Sequence, residues 1–394
     1  MFLLILASAV FGLGIGLYDF LLPLFLDDLS ISYGSMGIIF SFSALFLFFI
    51  RIYSGHISDT VGRKHIFGLA LFFCGIANLF TPFFPFIGPQ ILFKSLREVS
   101  FAIKETIQQL LIFDRWKKSF RIVMAWVAGF DFTFQGIGAL AGGILLAALG
   151  YKYTFAYVGL FVILVYVLFL SKFKEASSQV EKQKFLKRVK FSDLRTFPWA
   201  SPFRHKLSRP LALMNISGFL LGVGVSMSHA FIAPLFFYHK FALSPVVVSV
   251  IIALHRLSLG LPLILTGKMI KWNLKWTVII SMVIQGVFTS LAVIPNYFVT
   301  AAVIWLMHDI VGATFWLPAR NTLIQHYSRD KSRGLDVGMV LAWQALGWIF
   351  GPLIAGWISD FSIDYPFLLS GIVTAAAAVP LIWLKYSAKE QTAS

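Results

Sequence analysis

From Gln90 to Asp114 the chain reads QILFKSLREVSFAIKETIQQLLIFD, an apolar run interrupted by Lys94, Arg97, Glu98, Lys104, Glu105, Gln108 and Gln109. On a helix turning about 100° per residue these seven, together with Phe101, share an arc of roughly 140°. One face of this helix is therefore wet. Side chains of both signs can bind the charged groups of a small solute. A carboxylate in a low-dielectric cavity can also load and release a proton, because burial disfavours its charged form. Fixed pairing stands beside that reading, since Lys94 and Glu98 are one helical turn apart on this face.

Other apolar runs carry Asp19, Asp131, His229, His255, Arg256, His308 and Asp309. A charge facing lipid near the bilayer centre costs at least about 2.5–3.5 kcal/mol, so these groups must pair or line an aqueous cavity. Asp19 has Arg97 or Lys104 as possible permanent partners, and His229 and His308 also fit as satisfied histidines inside a bundle. Together the ionisable groups make a mixed cavity. It suits a zwitterion or an organic anion better than a purely lipophilic drug.

The elements that must position these residues follow from composition. Of 394 residues, 58% are hydrophobic and 13% charged, against about 25% charged in an ordinary soluble domain. The chain is built for a bilayer. A spanning helix needs roughly 20 mostly apolar residues, and segmenting on that rule predicts an all-α membrane protein of twelve spans. They fall at 2–26, 34–53, 65–86, 90–113, 122–149, 154–171, 210–238, 245–266, 276–294, 297–317, 335–358 and 367–384. The runs are continuous, whereas barrel strands would alternate in segments of about ten. The first run has no basic flank, exceeds a leader's apolar stretch and contains Asp19, so it reads as a retained span. Cys74 is the single cysteine and excludes an intramolecular disulfide.

A net charge of +16 invites thought of nucleic acid. Its distribution argues otherwise. Of 33 Lys and Arg, 26 fall between alternate spans on one side or in the tail, and only Lys152 and Lys240 fall on the other. That asymmetry is the positive-inside pattern, with both termini cytoplasmic and no nucleic-acid partner required. The basic, proline-punctuated stretch 172–209 reads as a linker along anionic headgroups, or as a regulatory partner site. It separates a six-helix bundle at 1–171 from a second at 210–394.

The two halves look like copies. A displacement of about 212 positions lays Gly14–Phe25 near Gly222–Phe237, Gly55 on Gly267 and Leu111-Ile112 on Leu323-Ile324; one residue further, Gly138–Gly143 meets Gly351–Gly356. Tyr18-Asp19 falls close to His229-Ala230, and Arg97 on Asp309. Such six-plus-six duplications belong to transporters whose halves rock about a midplane site.

Between the second and third spans lies GHISDTVGRK, in which Gly55, Asp59, Gly62, Arg63 and Lys64 form the pattern G-x-x-x-D-x-x-G-R-K. This resembles the signature of the major facilitator superfamily. The resemblance implies a short loop that latches the halves in the outward-facing state, with Asp59 acting across the interface and Arg63 reaching Asp114 at the end of helix 4. The second copy, GKMIKWNLK, keeps Gly267 but has Lys271 where Asp59 would fall. The resemblance also implies that helices 1, 4, 7 and 10 line the cavity and that a membrane acid carries the coupling proton. Asp19 is the first candidate for that role and Glu105 the second. The candidate cavity residues are then Tyr18, Lys94, Arg97, Glu98, Phe101, Lys104, Gln108, Asp131, His229, Arg256, His308 and Asp309. GWIFGPLIAG in the eleventh span is similar to the family's proton-antiporter motif with Ala355 in place of a glycine, while small residues at this spacing also simply pack helices closely.

No metal spacing of Cys and His, no G-x-S-x-G elbow and no P-loop is present, so neither an enzyme nor an ATP-driven pump is expected, and no cofactor. Energy must come from a gradient. The expectation is a monomeric, proton-coupled secondary transporter of a small charged or zwitterionic solute. Its place would be the plasma membrane, the inner membrane if the cell is Gram-negative. Alternatives are a multidrug or metabolite efflux antiporter, or a lipid flippase on the same scaffold. A transport-inactive sensor would not need the wet face.

Overall fold

The computed structural model describes residues 2–61, 63–116, 120–173, 206–269, 273–329 and 333–386. Among these the regular structure is all helical. The elements are α1 (Phe2–Asp28), α2 (Tyr33–Val61), α3 (Arg63–Phe80), α4 (Ile87–Arg115), α5 (Phe120–Lys172), α6 (Arg209–His229), α7 (Ile232–Lys240), α8 (Pro245–Met269), α9 (Leu274–Leu291), α10 (Phe298–Met307), α11 (Thr314–Tyr327), α12 (Arg333–Ser359), α13 (Tyr365–Ala376) and α14 (Val379–Ile382). Among the described residues, ten helical stretches are long and apolar enough to cross a membrane. One of them, Trp126–Lys172, has 47 residues. Straight, it would reach about 70 Å, more than twice a hydrocarbon core. It turns at Gly150, whose φ of 73° is a left-handed conformation that glycine adopts without steric cost. The charged α4 is not one of the ten, although it is 29 residues long.

Among the boundaries that depart from the sequence expectation, three bear on the site. The signature between the second and third spans is not a loop: α2 continues to Val61 and α3 begins at Arg63. The seventh span breaks between His229 and Ile232, ahead of Pro234, which has no N–H to return to the carbonyl of Ala230. The tenth span continues well past 317. α11 carries Pro318 inside it and runs to Tyr327; a π-helical stretch His308–Ala313 precedes it, and Thr314 Oγ1 donates to the carbonyls of Ile310 at 2.7 Å and Asp309 at 3.0 Å. Such local adjustments let membrane helices carry proline.

The core shows how the halves meet. One large apolar cluster draws on both, including Phe25 and Phe40 from the first and Phe231 and Phe236 from the second. Another belongs to the second half alone, with Leu211, Trp316, Leu323 and Leu381. Contact runs along α2 against α12 and α5 against α8. A Cβ on Gly37 would sit 2.6 Å from the carbonyl oxygen of Pro352, so α2 and α12 approach closely. The end away from the basic segments is shut by Phe40 against Phe231, with centroids 5.1 Å apart, and by Asp27 Oδ2 at 2.9 Å from His239 Nε2. The glycines of the eleventh span also pack: a Cβ on Gly351 would stand 2.6 Å from the carbonyl of Val223 in α6.

Candidate functional site

A cavity of about 580 Å³ lies between the halves and opens toward the basic end, where the exposed Gln109 of α4 and Gln325 of α11 are on its wall. All eight residues of the α4 arc line it. The rest of α4 does not: Phe93, just outside the edge of the arc, packs on Phe80 and Phe84 at centroid distances of 6.3 and 5.7 Å. The amphipathic face of α4 thus positions the polar groups, and its apolar face seats the helix in the first half.

In the first half, α1 and α4 bring Asp19, Lys94, Arg97 and Glu98 together. Arg97 Nη2 donates to Asp19 Oδ2, and Arg97 Nη1 to Glu98 Oε2 at 3.0 Å. Lys94 Nζ donates to Glu98 Oε1 at 2.5 Å and stands 3.8 Å from Asp19 Oδ1. Two cations and two carboxylates make a neutral group, with Lys94 also 4.8 Å over the Phe40 ring and Arg97 5.1 Å over Phe101. Nearer the opening, Lys104 Nζ lies 2.7 Å from Asp131 Oδ2, which also accepts from Gln135 Nε2 at 3.1 Å. Of the two partners open to Asp19, Arg97 is the one it has. Gln108 accepts from Ser8 Oγ at 3.3 Å. Glu105 pairs with Arg51 at 2.7 Å, its side chain 43% exposed.

The second half is different in kind. His229 at the end of α6, His255 in α8 and His308 and Asp309 in the π-helical stretch converge. His229 Nε2 is 3.0 Å from His308 Nε2, His308 Nε2 is 3.2 Å from Asp309 Oδ1, and His255 Nε2 is 3.0 Å from Asp309 Oδ2. Arg256 and Arg320 also face the cavity. Among the described residues Arg256 has no ion pair or hydrogen bond. Arg320, 1% exposed, donates from Nη1 to Gln344 Oε1 at 2.8 Å while its Nε and Nη2 have no hydrogen-bond partner among the described residues. Trp316 Nε1 donates to Gln285 Oε1 on the same wall.

Two sequence candidates lie off the cavity. Tyr18 is fully buried in the first half, joined to the Thr81 hydroxyl at 3.2 Å and edge-on to Phe155 at 5.8 Å. Adjacent helical residues point about 100° apart, so Asp19 facing the cavity turns Tyr18 into the packing. His308 is fully buried behind Asp309. The other cavity candidates, and Asp19 and Glu105, line the wall. Sequence reading missed Arg320 by counting it as a loop cation; its signal was the apolar run Leu323-Ile324 just beyond, which the repeat already placed in a helix. Of the signature, Arg63 Nη1 donates to the Leu110 carbonyl of α4 at 3.0 Å, and Lys64 is half-buried. Gly55 is on α2, while Gly62 and the side chains of Asp59 and Asp114 lie outside the described residues.

The family model of the Major Facilitator Superfamily matches residues 4–272 and again 214–394. The chain belongs to the Major Facilitator Superfamily, and it is a multi-pass membrane transporter of that type rather than an enzyme. A curated relative, Multidrug resistance protein 2 of Bacillus subtilis (strain 168), is 24% identical over 392 residues, covering 96% of this chain and 94% of its own. Among solved structures, a D-xylose-proton symporter superposes with a TM-score of 0.76 at 14% identity, over 99% of both chains. The nucleoside transporter NupG gives a TM-score of 0.71 at 14% identity, over 98% of this chain and 99% of that one. These structures share the fold.

Proposed function

We propose that this chain is a proton-coupled secondary transporter for a small organic solute bearing an anionic group, moved by alternating access. The observation that carries the reading is an imbalance of pairing. Each carboxylate on the cavity wall, Asp19, Glu98, Glu105, Asp131 and Asp309, has a cationic or histidine partner. Arg256 and Arg320 have none of opposite charge among the described residues. Guanidinium groups with spare donors match a carboxylate or phosphate in geometry and charge. A lipophilic cation would meet two uncompensated positive charges, which weighs against the efflux reading that the multidrug relative offers.

The architecture we infer is twelve crossings in two six-helix bundles, 1–171 and 210–394, joined by the linker 172–209. The ten apolar stretches, one of them turning at Gly150, together with α4 support that count. With the basic segments and both termini in the cytoplasm of a plasma-membrane protein, the cavity faces inward. The chain acts as a monomer. Asp19 is the proton carrier: a proton on it would release Arg97, freeing that guanidinium for the solute or for the next conformational state, and coupling the two ligands through one ion pair. Glu105, at the rim with Arg51, is less well placed. In the outward-facing state Arg63 would reach Asp114, with Asp59 completing the latch.

The test is transport in proteoliposomes with an imposed pH gradient. Asp19→Asn should abolish gradient-driven accumulation of an organic anion and retain solute exchange, since the amide keeps size and hydrogen bonding but carries no proton. Accumulation that still follows the gradient in this variant would remove Asp19 from the coupling role. Transport confined to lipophilic cations would overturn the substrate reading.

A further inference from the structure

We propose that His229, His255 and His308 form a binding site for a divalent first-row transition ion of the zinc class, with the Asp309 carboxylate beside them supplying negative charge. The site borders the solute cavity, whose wall includes His229, His255 and Asp309, and does not depend on which solute is carried.

The geometry begins with the rings' outer nitrogens. His308 Nδ1 contacts the carbonyl oxygen of Trp305, and His229 Nδ1 stands 3.0 Å from the carbonyl oxygen of Val225. A carbonyl oxygen only accepts, so His308 Nδ1 carries its hydrogen and its Nε2 presents a lone pair. His229 Nδ1 is also 2.7 Å from the Ser228 hydroxyl, which can donate or accept, so either tautomer is open to that ring. With its hydrogen on Nδ1, its Nε2 presents a second lone pair 3.0 Å from the first. His308 Nε2 is moreover 3.2 Å from a carboxylate oxygen of Asp309, which likewise has no hydrogen to give once ionised. His255 adds a third ring: its Nε2, on a residue 4% exposed, lies 3.0 Å from Asp309 Oδ2 yet out of line for a hydrogen bond. Several lone pairs and a negative charge thus converge on one point, which is the electrostatic demand of a cation.

The donor set selects the class. Neutral imidazoles held by Nδ1–H to backbone carbonyls, with a carboxylate alongside, are the usual supports of zinc-type ligands. One donor atom from each of the three rings can be chosen so that all lie within 4.8 Å of one another. An ion about 2.0–2.1 Å from each nitrogen in tetrahedral geometry needs nitrogens about 3.3 Å apart. The His229 and His308 Nε2 atoms are already close to that spacing at 3.0 Å, and the His255 ring is held by stacking on Trp305 with centroids 4.4 Å apart and planes 8° from parallel. The wide π-helical turn is what places His308 and its neighbour Asp309 together in the cluster. No sequence motif announces the site, because its ligands stand 26 and 53 positions apart on three different elements.

All three ligands come from the second half. A site contained in one rocking body keeps its geometry through a transport cycle, so the ion is a resident that ties α6, α8 and the π-helical stretch together, and not the cargo.

The experiment uses the full chain purified without a polyhistidine tag and stripped with a chelator. Zn²⁺ is titrated by calorimetry and Co²⁺ by visible absorption. The expected result is one ion per chain, intense cobalt bands of a four-coordinate nitrogen and oxygen set, and a thermal midpoint that rises with Zn²⁺. His229→Gln and His255→Gln should each weaken binding at least about a hundredfold, and Asp309→Asn about tenfold to a hundredfold. His239→Gln and His326→Gln, away from the cluster, should bind as the unsubstituted chain does. If the fully buried His308→Gln does not fold, the His229 and His255 variants carry the test, since a loss of affinity there in folded protein supports the site. Absence of saturable one-to-one binding would overturn the proposal, as would affinity unchanged in both of those variants. Counterflow of Zn²⁺ across proteoliposomes would overturn its residence.

Discussion

The two halves are built from similar sequence and face one cavity, but they dispose their polar groups in opposite ways. In the first half four charges, Asp19, Lys94, Arg97 and Glu98, close on each other, and Lys104 closes on Asp131. In the second half, imidazoles surround one carboxylate, and two guanidinium groups are left with spare donors among the described residues. The displacement that places Arg97 on Asp309 relates a cation ringed by acids to an acid ringed by histidines. Buried charges are tolerated when paired and hydrogen-bonded, and breaking one pair is far costlier than forming it was favourable. The first half is therefore electrostatically complete with the cavity open toward the basic end, while the second half retains capacity for ligands. That difference underlies the proposed division of labour, with coupling in one body and recognition in the other.

The comparison breaks most readily at Arg97. Arg97→Ala leaves Asp19 and Glu98 short of a partner in a buried site and should lower stability by about 3–5 kcal/mol, read as a large fall in the thermal midpoint. Adding Asp19→Ala should recover part of the loss; no recovery would show that Arg97 does not serve Asp19. Next comes Arg320→Gln. It removes a charge with no acid partner among the described residues, so stability should hold, while affinity for an anionic solute should fall about tenfold to a hundredfold, the worth of a charge-assisted hydrogen bond of about 1.5–3 kcal/mol. A destabilised variant with unchanged affinity would mean that Arg320 is structural and the second half as complete as the first.

Smaller effects sharpen the contrast inside the first half. A double-mutant cycle on Lys104→Ala and Asp131→Ala should show coupling within about 0.5–3 kcal/mol, and simple additivity would deny their contact. Arg51→Ala and Glu105→Ala, at the half-exposed rim, should change stability by no more than about 1 kcal/mol. A larger loss would extend the rigid charge network to the cavity mouth.

Much of this was legible in the sequence because it is local. A helical period of 3.6 puts Lys94, Arg97, Glu98, Phe101, Lys104, Glu105, Gln108 and Gln109 on one face whatever surrounds the helix, and the structure turns that face to the cavity. Membrane insertion was legible for the same reason, since length and apolarity belong to single segments. Where two adjacent residues competed, periodicity did not choose. Tyr18 and Asp19 were both cavity candidates, and only the packing of α1 against its neighbours sent Tyr18 inward to Thr81.

Sequence by itself determined the spans' apolar character, the family signature, the sidedness of charge and the existence of intramembrane ionisable groups. Tertiary structure decided which groups pair between helices. Asp19 meets Arg97 across 78 positions, and His229 meets His308 across 79. Arg320 faces the cavity from α11, which runs on through Pro318 after the π-helical stretch. The physical reason is the same in each case. A helix's own periodicity fixes the directions of its side chains, but a buried charge takes its partner from whichever helix packs beside it. That neighbour is set by the summed fit of surfaces far apart in the chain, which no local pattern records.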